Sequence, residues 1–149
     1  MLNQIVIFKL NDEEFCVDIM DVLEIIRMQT ITKVPDVPSF VEGIINLRGT
    51  VIPIIDLKKR LKLKLTNYDD DTRIIIIKIN EKSVGFIVDS VTEVLHVEND
   101  SIKEAPDIIA GIGKEYIESV VSYDDRLIIN LDLEKILTES EKKEIEEMQ

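Results

Sequence analysis

The chain has 149 residues, of which 45% are hydrophobic and 32% charged, and its 30 acidic and 18 basic side chains give a net charge of -12. This length can bury roughly two thirds of the unfolded surface, so the chain needs no disulfide or metal to hold a core. The acidic balance argues against nucleic acid and anionic membranes, whose phosphates bind cationic surfaces. The single cysteine, Cys16, cannot form an internal disulfide, which favours a reducing cytoplasm.

The N-terminus carries no basic segment followed by a long apolar run, so we expect no signal peptide. The longest apolar run, Ile74 to Ile77, is too short to cross a bilayer, so we expect no insertion into a membrane.

Short runs of branched aliphatic residues predict an all-β protein, because such side chains suit strands. The runs are 5–10, 44–47, 51–57, 73–79, 84–88, 120–121 and 127–133. The segment 18–26 fits either a helix or a bent strand. Near the C-terminus, Thr138 and Glu141 form a capping-box pattern, which predicts a helix in the tail 138–149 that can either dock or fray.

An internal repeat divides the chain into two similar halves. Segments 5–11, 22–25, 34–36 and 54–57 match segments 74–80, 91–94, 105–107 and 130–133, in the same order. We therefore predict two β-barrel subdomains, 1–68 and 69–137. Each would be marginal alone, so we expect them to share an apolar seam. The first strand of one half could equally pair into the other half.

Few residues could carry catalysis. His96 has no cysteine or second histidine near it in the sequence, and Cys16 lies in an apolar segment that raises a thiol pKa. Asp56 and Asp132 occupy corresponding places in the two halves, which could pair them as the acid and base of a hydrolase. Each also suits the N-cap of the short segment that follows it. We favour the capping interpretation, and expect no enzyme, no metal site and no cofactor, with the hydrolase as the alternative.

The segment 43–57 predicts a hairpin that could bind a partner. Asn46 and Gly49 suit the first and fourth positions of a type I turn, so the tip would present Leu47 and Arg48. An arginine on an exposed tip offers a planar fork of donors to a partner's carboxylate, or is simply solvated.

The segment 43–49, followed by 52–57, resembles the signature of the CheW chemotaxis coupling proteins. The resemblance covers nearly the whole chain. Its further blocks are 5–10, 18–25, 34–35, 85–89 and 126–132. It implies two five-stranded SH3-like barrels without catalytic residues or cofactors.

The resemblance also implies partners and a site. The partners would be the regulatory domain of the histidine kinase CheA and the cytoplasmic tip of methyl-accepting chemoreceptors. The protein would be cytoplasmic and recruited to membrane-associated receptor arrays. The candidate partner-binding residues either match family positions or neighbour such positions in the sequence. They are Ile19, Val22, Glu24, Ile25, Asn46, Leu47, Arg48 and Gly49. Val22 would serve only if it is exposed, and Ile19 and Ile25 could equally be core. A scaffold of the same fold in a non-flagellar chemosensory pathway is the other interpretation.

Overall fold

The structure, a computed structural model, describes residues 3–109 and 112–149, and it is built mainly from β-strands, as predicted. The strands are β1 (Gln4–Leu10), β2 (Glu13–Asp18), β3 (Val22–Arg27), β4 (Val41–Leu47), β5 (Thr50–Asp56), β6 (Arg73–Ile79), β7 (Lys82–Val88), β8 (Ser90–His96), β9 (Ile102–Lys103), β10 (Ile108–Ile109), β11 (Ile112–Gly113), β12 (Ile117–Tyr123) and β13 (Arg126–Leu131). The α-helices of the described ranges are α1 (Leu57–Arg60) and α2 (Glu139–Glu146). Neither is long and apolar enough to cross a membrane.

The two main sheets exchange hairpins between the halves of the sequence. One sheet has the order β8-β1-β2-β13-β12-β9, and the other has the order β3-β6-β7-β5-β4. The strand β1 of the first half pairs with β8 of the second half, so the alternative in which the first strand joins the other half is the correct one. Only Ile19–Asp21 separate β2 from β3, and only Asp89 separates β7 from β8. Links this short, without a hairpin turn, carry the chain directly from one sheet into the other.

The largest apolar cluster lies between the two sheets and draws on both of them. Phe8 and Phe15 of the six-stranded sheet stack with ring centroids 5.9 Å apart, and Ile75 and Phe86 of the five-stranded sheet belong to the same cluster. Each sheet also encloses a smaller aliphatic cluster of its own. The expected apolar seam is therefore the main core. Burial of this much aliphatic surface is the principal source of stability.

The segment 18–26 is a 3-10 turn over Ile19–Asp21 followed by β3, so the bent-strand alternative is the correct one. The Asp18 carboxylate caps the turn by accepting a hydrogen bond from the Met20 N–H at 2.9 Å. The strand β2, absent from the predicted runs, contains Cys16, which is fully buried. Burial raises the pKa of the Cys16 thiol to about 12, as expected of an inert core residue.

The five-stranded sheet is drawn towards closure by a bridge between Thr32 and Ile44, whose backbone groups exchange two hydrogen bonds of 2.9 Å. Pro53 pairs with Ile44 and needs no N–H there, because the Ile44 backbone groups already bond Thr32. Gly43 has φ of +143°, and a Cβ atom at this position would overlap the Thr32 carbonyl oxygen. Glycine is required here both for its backbone conformation and for its size.

The C-terminal helix α2 docks on the body. Thr138 and Glu141 form the predicted capping box, and Ile145 is buried in the core between the sheets. Arg60 donates hydrogen bonds to Glu141 Oε1 at 3.0 Å and to the Ile136 carbonyl oxygen at 2.7 Å. The cap, the ion pair and the apolar contact together hold the helix in place.

Candidate functional site

The tip of the β4–β5 hairpin is a two-residue loop made of Arg48 and Gly49. Both residues have positive φ, 52° and 88°, so the turn is type I′ rather than the predicted type I. The type I′ form prevails because its twist matches that of the flanking strands. Asn46 Oδ1 accepts a hydrogen bond from the Gly49 N–H at 2.9 Å, which fixes the tip. The turn presents Arg48 to solvent.

Arg48 forms an ion pair with Glu24 of β3, with 2.5 Å between Arg48 Nη2 and Glu24 Oε1. The arginine side chain is 68% exposed and the glutamate side chain 35% exposed. The hydrogen bond from Arg48 lowers the pKa of Glu24, and the same contact raises the pKa of Arg48. The pair therefore stays fully ionised at neutral pH. It orients the guanidinium while leaving its other donors free for a partner.

The apolar residues of the predicted site do not all reach the surface. Ile19 and Val22 are half-buried and pack against the core between the sheets, so Val22 does not meet the condition of exposure. Leu47 is half-buried against the cluster inside the five-stranded sheet. Ile25 is 37% exposed. Only Ile25 of these four side chains presents substantial apolar area to a partner.

Two exposed apolar residues of the same region were not predicted. Met20 of the 3-10 turn is 85% exposed, and Leu23 of β3 is 52% exposed. The two-residue alternation of β3 would have placed Leu23 and Ile25 on one face, had the segment been assigned as a strand. We define the coupling surface as two adjoining parts, the apolar residues Met20, Leu23 and Ile25 and the Glu24–Arg48 pair, whose glutamate projects to the other face of β3.

Asp56, one of the two aspartates considered for catalysis, is the N-cap of α1. Its Oδ1 accepts a hydrogen bond from the Lys59 N–H at 3.1 Å, and its Oδ2 accepts one from the Tyr68 hydroxyl at 2.6 Å. Burial, together with the hydrogen bonds to Asp56 and Glu42, raises the pKa of Tyr68 above its usual range. The capping interpretation of Asp56 is confirmed.

Asp132 accepts hydrogen bonds from the backbone N–H groups of Glu134 and Lys135 at 3.1 and 3.3 Å. It caps a turn rather than the predicted short helix. Asp132 lines a groove to which Asp56 does not contribute, so the two carboxylates are not brought together as an acid and base pair.

His96 lies exposed at the end of β8, with its Nε2 atom 3.4 Å from Glu98 Oε1. Within residues 3–109 and 112–149, no three histidine, cysteine, aspartate or glutamate side chains are grouped so that they could hold a metal ion.

Known proteins resemble this chain over most of its length. The CheW-like domain family matches residues 4–141. The chemotaxis protein CheW of Bacillus subtilis is 37% identical over 134 residues, which cover 90% of this chain and 86% of that protein. The chemotaxis protein CheW of Klebsiella aerogenes is 33% identical over 138 residues, which cover 93% and 83%.

Among solved structures, the scaffolding protein TtCheW of Thermoanaerobacter tengcongensis superposes with a TM-score of 0.86. It is 40% identical, and the match covers 95% of this chain and 91% of that one. The fold, the hairpin signature and the extent of these matches lead to one conclusion: the chain belongs to the CheW family of chemotaxis scaffold proteins.

Proposed function

We propose that this protein is a non-enzymatic adaptor that couples methyl-accepting chemoreceptors to the histidine kinase CheA by binding both. The observation that carries the proposal is the Glu24–Arg48 pair, which fixes an exposed arginine at β3, the strand that also carries the exposed Leu23 and Ile25. The similarity to proteins named for chemotaxis and scaffolding supports it.

The coupling surface has the composition of a binding site. Burying one exposed aliphatic side chain in an interface contributes about 1.5 to 3 kcal/mol, which is enough to change an affinity at least tenfold. Met20, Leu23 and Ile25 supply such area, and Arg48 supplies directed hydrogen-bond donors. Arginine is among the residue types enriched in interface hot spots.

An adaptor transmits a signal only if its contacts differ between the active and inactive receptor states, because a coupler that bound both states equally could shift nothing. The Glu24–Arg48 pair can supply that difference. Arg48 can keep Glu24 as its partner or turn to a carboxylate of a neighbouring protein, since its side chain is mostly exposed.

The test reconstitutes receptor, CheA and this protein on vesicles, and measures co-sedimentation and receptor-dependent kinase activity. Arg48→Glu should weaken kinase recruitment by about tenfold or more, because it removes the donors and adds repulsion. Lys82→Glu, at an exposed position at the start of β7, changes the net charge equally and serves as the control. Failure of the wild-type protein to bind the kinase or to couple it to the receptor would refute the proposal.

A charge-swapped double variant separates direct recognition from an internal role. Glu24→Arg combined with Arg48→Glu can form the same ion pair with its signs reversed. If a partner binds Arg48 directly, coupling stays low in the double variant. If Arg48 only holds β3 and the hairpin together, the double variant recovers coupling that Arg48→Glu loses.

A further inference from the structure

Met20 is the most exposed of the large apolar residues in the described part of the chain, at 85%. It is the middle residue of the 3-10 turn Ile19–Asp21, which links β2 to β3. Its backbone is fixed, because the Met20 N–H donates a hydrogen bond to the Asp18 carboxylate at 2.9 Å. The turn therefore holds the thioether of Met20 in solvent, where a dissolved reagent can reach the sulfur.

The other sulfur-bearing side chains of residues 3–109 and 112–149 are shielded. Met28 packs half-buried against the cluster inside the five-stranded sheet, and Met148 packs half-buried against the core between the sheets. Cys16 is fully buried, and its raised pKa leaves it without a reactive thiolate at neutral pH. Because oxidation of sulfur follows exposure, Met20 is the side chain of these ranges that an oxidant reaches most readily.

The charges around Met20 favour an uncharged oxidant. Met20 lines a groove of about 640 Å³ together with five carboxylates and one lysine. These charged residues are Asp18, Asp21, Glu118, Asp132, Glu134 and Lys78. The excess of negative charge repels anionic oxidants and lowers their local concentration. A neutral peroxide is not repelled.

We propose that Met20 is a reversible oxidation site, at which a peroxide converts the thioether to a sulfoxide and so weakens binding at the coupling surface. The sulfur lone pair attacks one oxygen of hydrogen peroxide, and the O–O bond breaks as the S–O bond forms. The proton on the transferred oxygen passes to the departing hydroxide, which leaves as water. Sulfur loses two electrons and the peroxide gains them. Methionine sulfoxide reductases return the sulfoxide to the thioether.

The sulfoxide changes what the coupling surface offers to a partner. An apolar side chain becomes a polar one, and its oxygen loses hydrogen bonds to water when a partner covers it. Binding should therefore weaken, while the fold stays unchanged because Met20 projects into solvent. The effect on binding rests on the proposed function, whereas the reactivity of Met20 does not.

The first measurement needs no partner. The full chain is treated with limiting hydrogen peroxide, and peptide mass spectrometry follows the oxidation of each methionine. We expect Met20 to be oxidised about tenfold faster than Met28 and Met148, since it is the exposed one. The midpoint of thermal unfolding should not change when Met20 alone is oxidised. Similar rates at the three methionines, or a lowered midpoint, would overturn the proposal.

The second measurement repeats the vesicle reconstitution with oxidised protein, after the peroxide has been removed so that receptor and kinase stay unmodified. About tenfold more oxidised protein should be needed for the same receptor-dependent kinase activity. Treatment with methionine sulfoxide reductases A and B should restore the original dose. If untreated protein couples and oxidised protein couples equally well, the proposal fails and the proposed function stands. If untreated protein does not couple, the proposed function fails, and mass spectrometry still decides whether Met20 is the oxidation site.

Three variants assign the effect to Met20. Met20→Leu keeps an apolar side chain without an oxidisable sulfur, so its coupling should resist peroxide. Met28→Leu is the matched control, which leaves Met20 in place and should remain sensitive. Met20→Gln places a polar amide at the same position and should reduce coupling without any oxidant. Loss of coupling by peroxide-treated Met20→Leu, to the same extent as in the wild type, would assign the sensitivity to another residue and overturn the proposal.

Discussion

The two hairpin tips of the molecule share a backbone and differ in charge. The β4–β5 tip has Arg48 and Gly49 with φ of 52° and 88°, and the β12–β13 tip has Asp124 and Asp125 with φ of 46° and 63°. Both are two-residue loops with the positive φ values of a type I′ turn. The two halves therefore share the turn conformation, but the tip carries a positive charge in the first half and negative charges in the second.

The ion pairs beside the two tips also differ. Glu93 of β8 corresponds to Glu24 of β3, and it pairs at 2.6 Å with Arg126, which also bonds Glu14 through two hydrogen bonds of 3.0 and 2.6 Å. Arg126 is 30% exposed, whereas Arg48 is 68% exposed. An arginine held by two carboxylates ties β2, β8 and β13 together. An arginine held by one carboxylate on a tip keeps most of its side chain exposed to solvent.

The largest effect that we expect concerns Gly43, whose counterpart in the other half is Ser119. Gly43→Ala should destabilise the fold by about 3 to 5 kcal/mol. The new Cβ would clash with the Thr32 carbonyl, and alanine would have to adopt a positive φ that is unfavourable for it. Urea denaturation of wild type and variant measures the difference. Ser119→Ala removes one hydrogen bond from Asn130 and should cost only about 1 kcal/mol. Equal costs would contradict the requirement for glycine at this position.

Next in size is the buried lysine. Lys58→Met should cost about 2 to 4 kcal/mol, because it leaves Asp89 without its cation, and that side chain is only 26% exposed. Glu134 is the second residue after Asp132, as Lys58 is the second residue after Asp56. Glu134→Met should be neutral or stabilising, since it removes one of several neighbouring carboxylates. Chemical denaturation at neutral pH compares the two. A similar cost for both variants would mean that Lys58 contributes through packing alone.

A smaller effect, with a defined dependence on pH, is expected at Arg126. Arg126→Met should destabilise by about 1 kcal/mol at about pH 7, because it removes hydrogen bonds to the carboxylates of Glu14 and Glu93. The hydrogen bond from Arg126 lowers the pKa of Glu14. A lowered folded-state pKa stabilises above the unfolded-state value, and the stabilisation is lost as the pH falls through the folded-state value. The difference between wild type and variant should therefore shrink at about pH 3, and a difference independent of pH would exclude the pairing as its source.

The smallest effect on stability is expected at Arg48. Arg48→Met should leave the midpoint of thermal unfolding unchanged, because the pair with Glu24 is exposed and solvent screens it. A marked loss of stability would place Arg48 with Arg126 as a structural residue, and would remove the contrast between the two tips.

Local patterns predicted much of this protein. The aliphatic runs located β1, β4, β5, β6, β7, β12 and β13, and the capping box located α2. The strand β8 was missed because polar residues interrupt its apolar ones, and β2 was missed because its apolar run, Phe15 to Val17, is short. The segment 18–26 was ambiguous because a 3-10 turn precedes β3. Of the candidate site, the hairpin with Arg48 followed from turn chemistry and from the family resemblance. The exposure of Met20 and Leu23, and the partial burial of Val22, did not follow, because they depend on packing against distant segments.

The sequence by itself determined the two-fold repeat, the strand periodicity, the arginine on the hairpin tip and the net negative charge of the chain, because each follows from composition or from short stretches of consecutive residues. The tertiary structure alone decided which strands pair. The strands β1 and β6 carry nearly the same apolar pattern, so the local pattern does not determine which sheet each strand joins. In the structure, the short links at Ile19–Asp21 and Asp89 carry the chain from one sheet into the other. That arrangement also sets Glu24 against Arg48 and brings five carboxylates to one groove, through contacts between residues far apart in the chain.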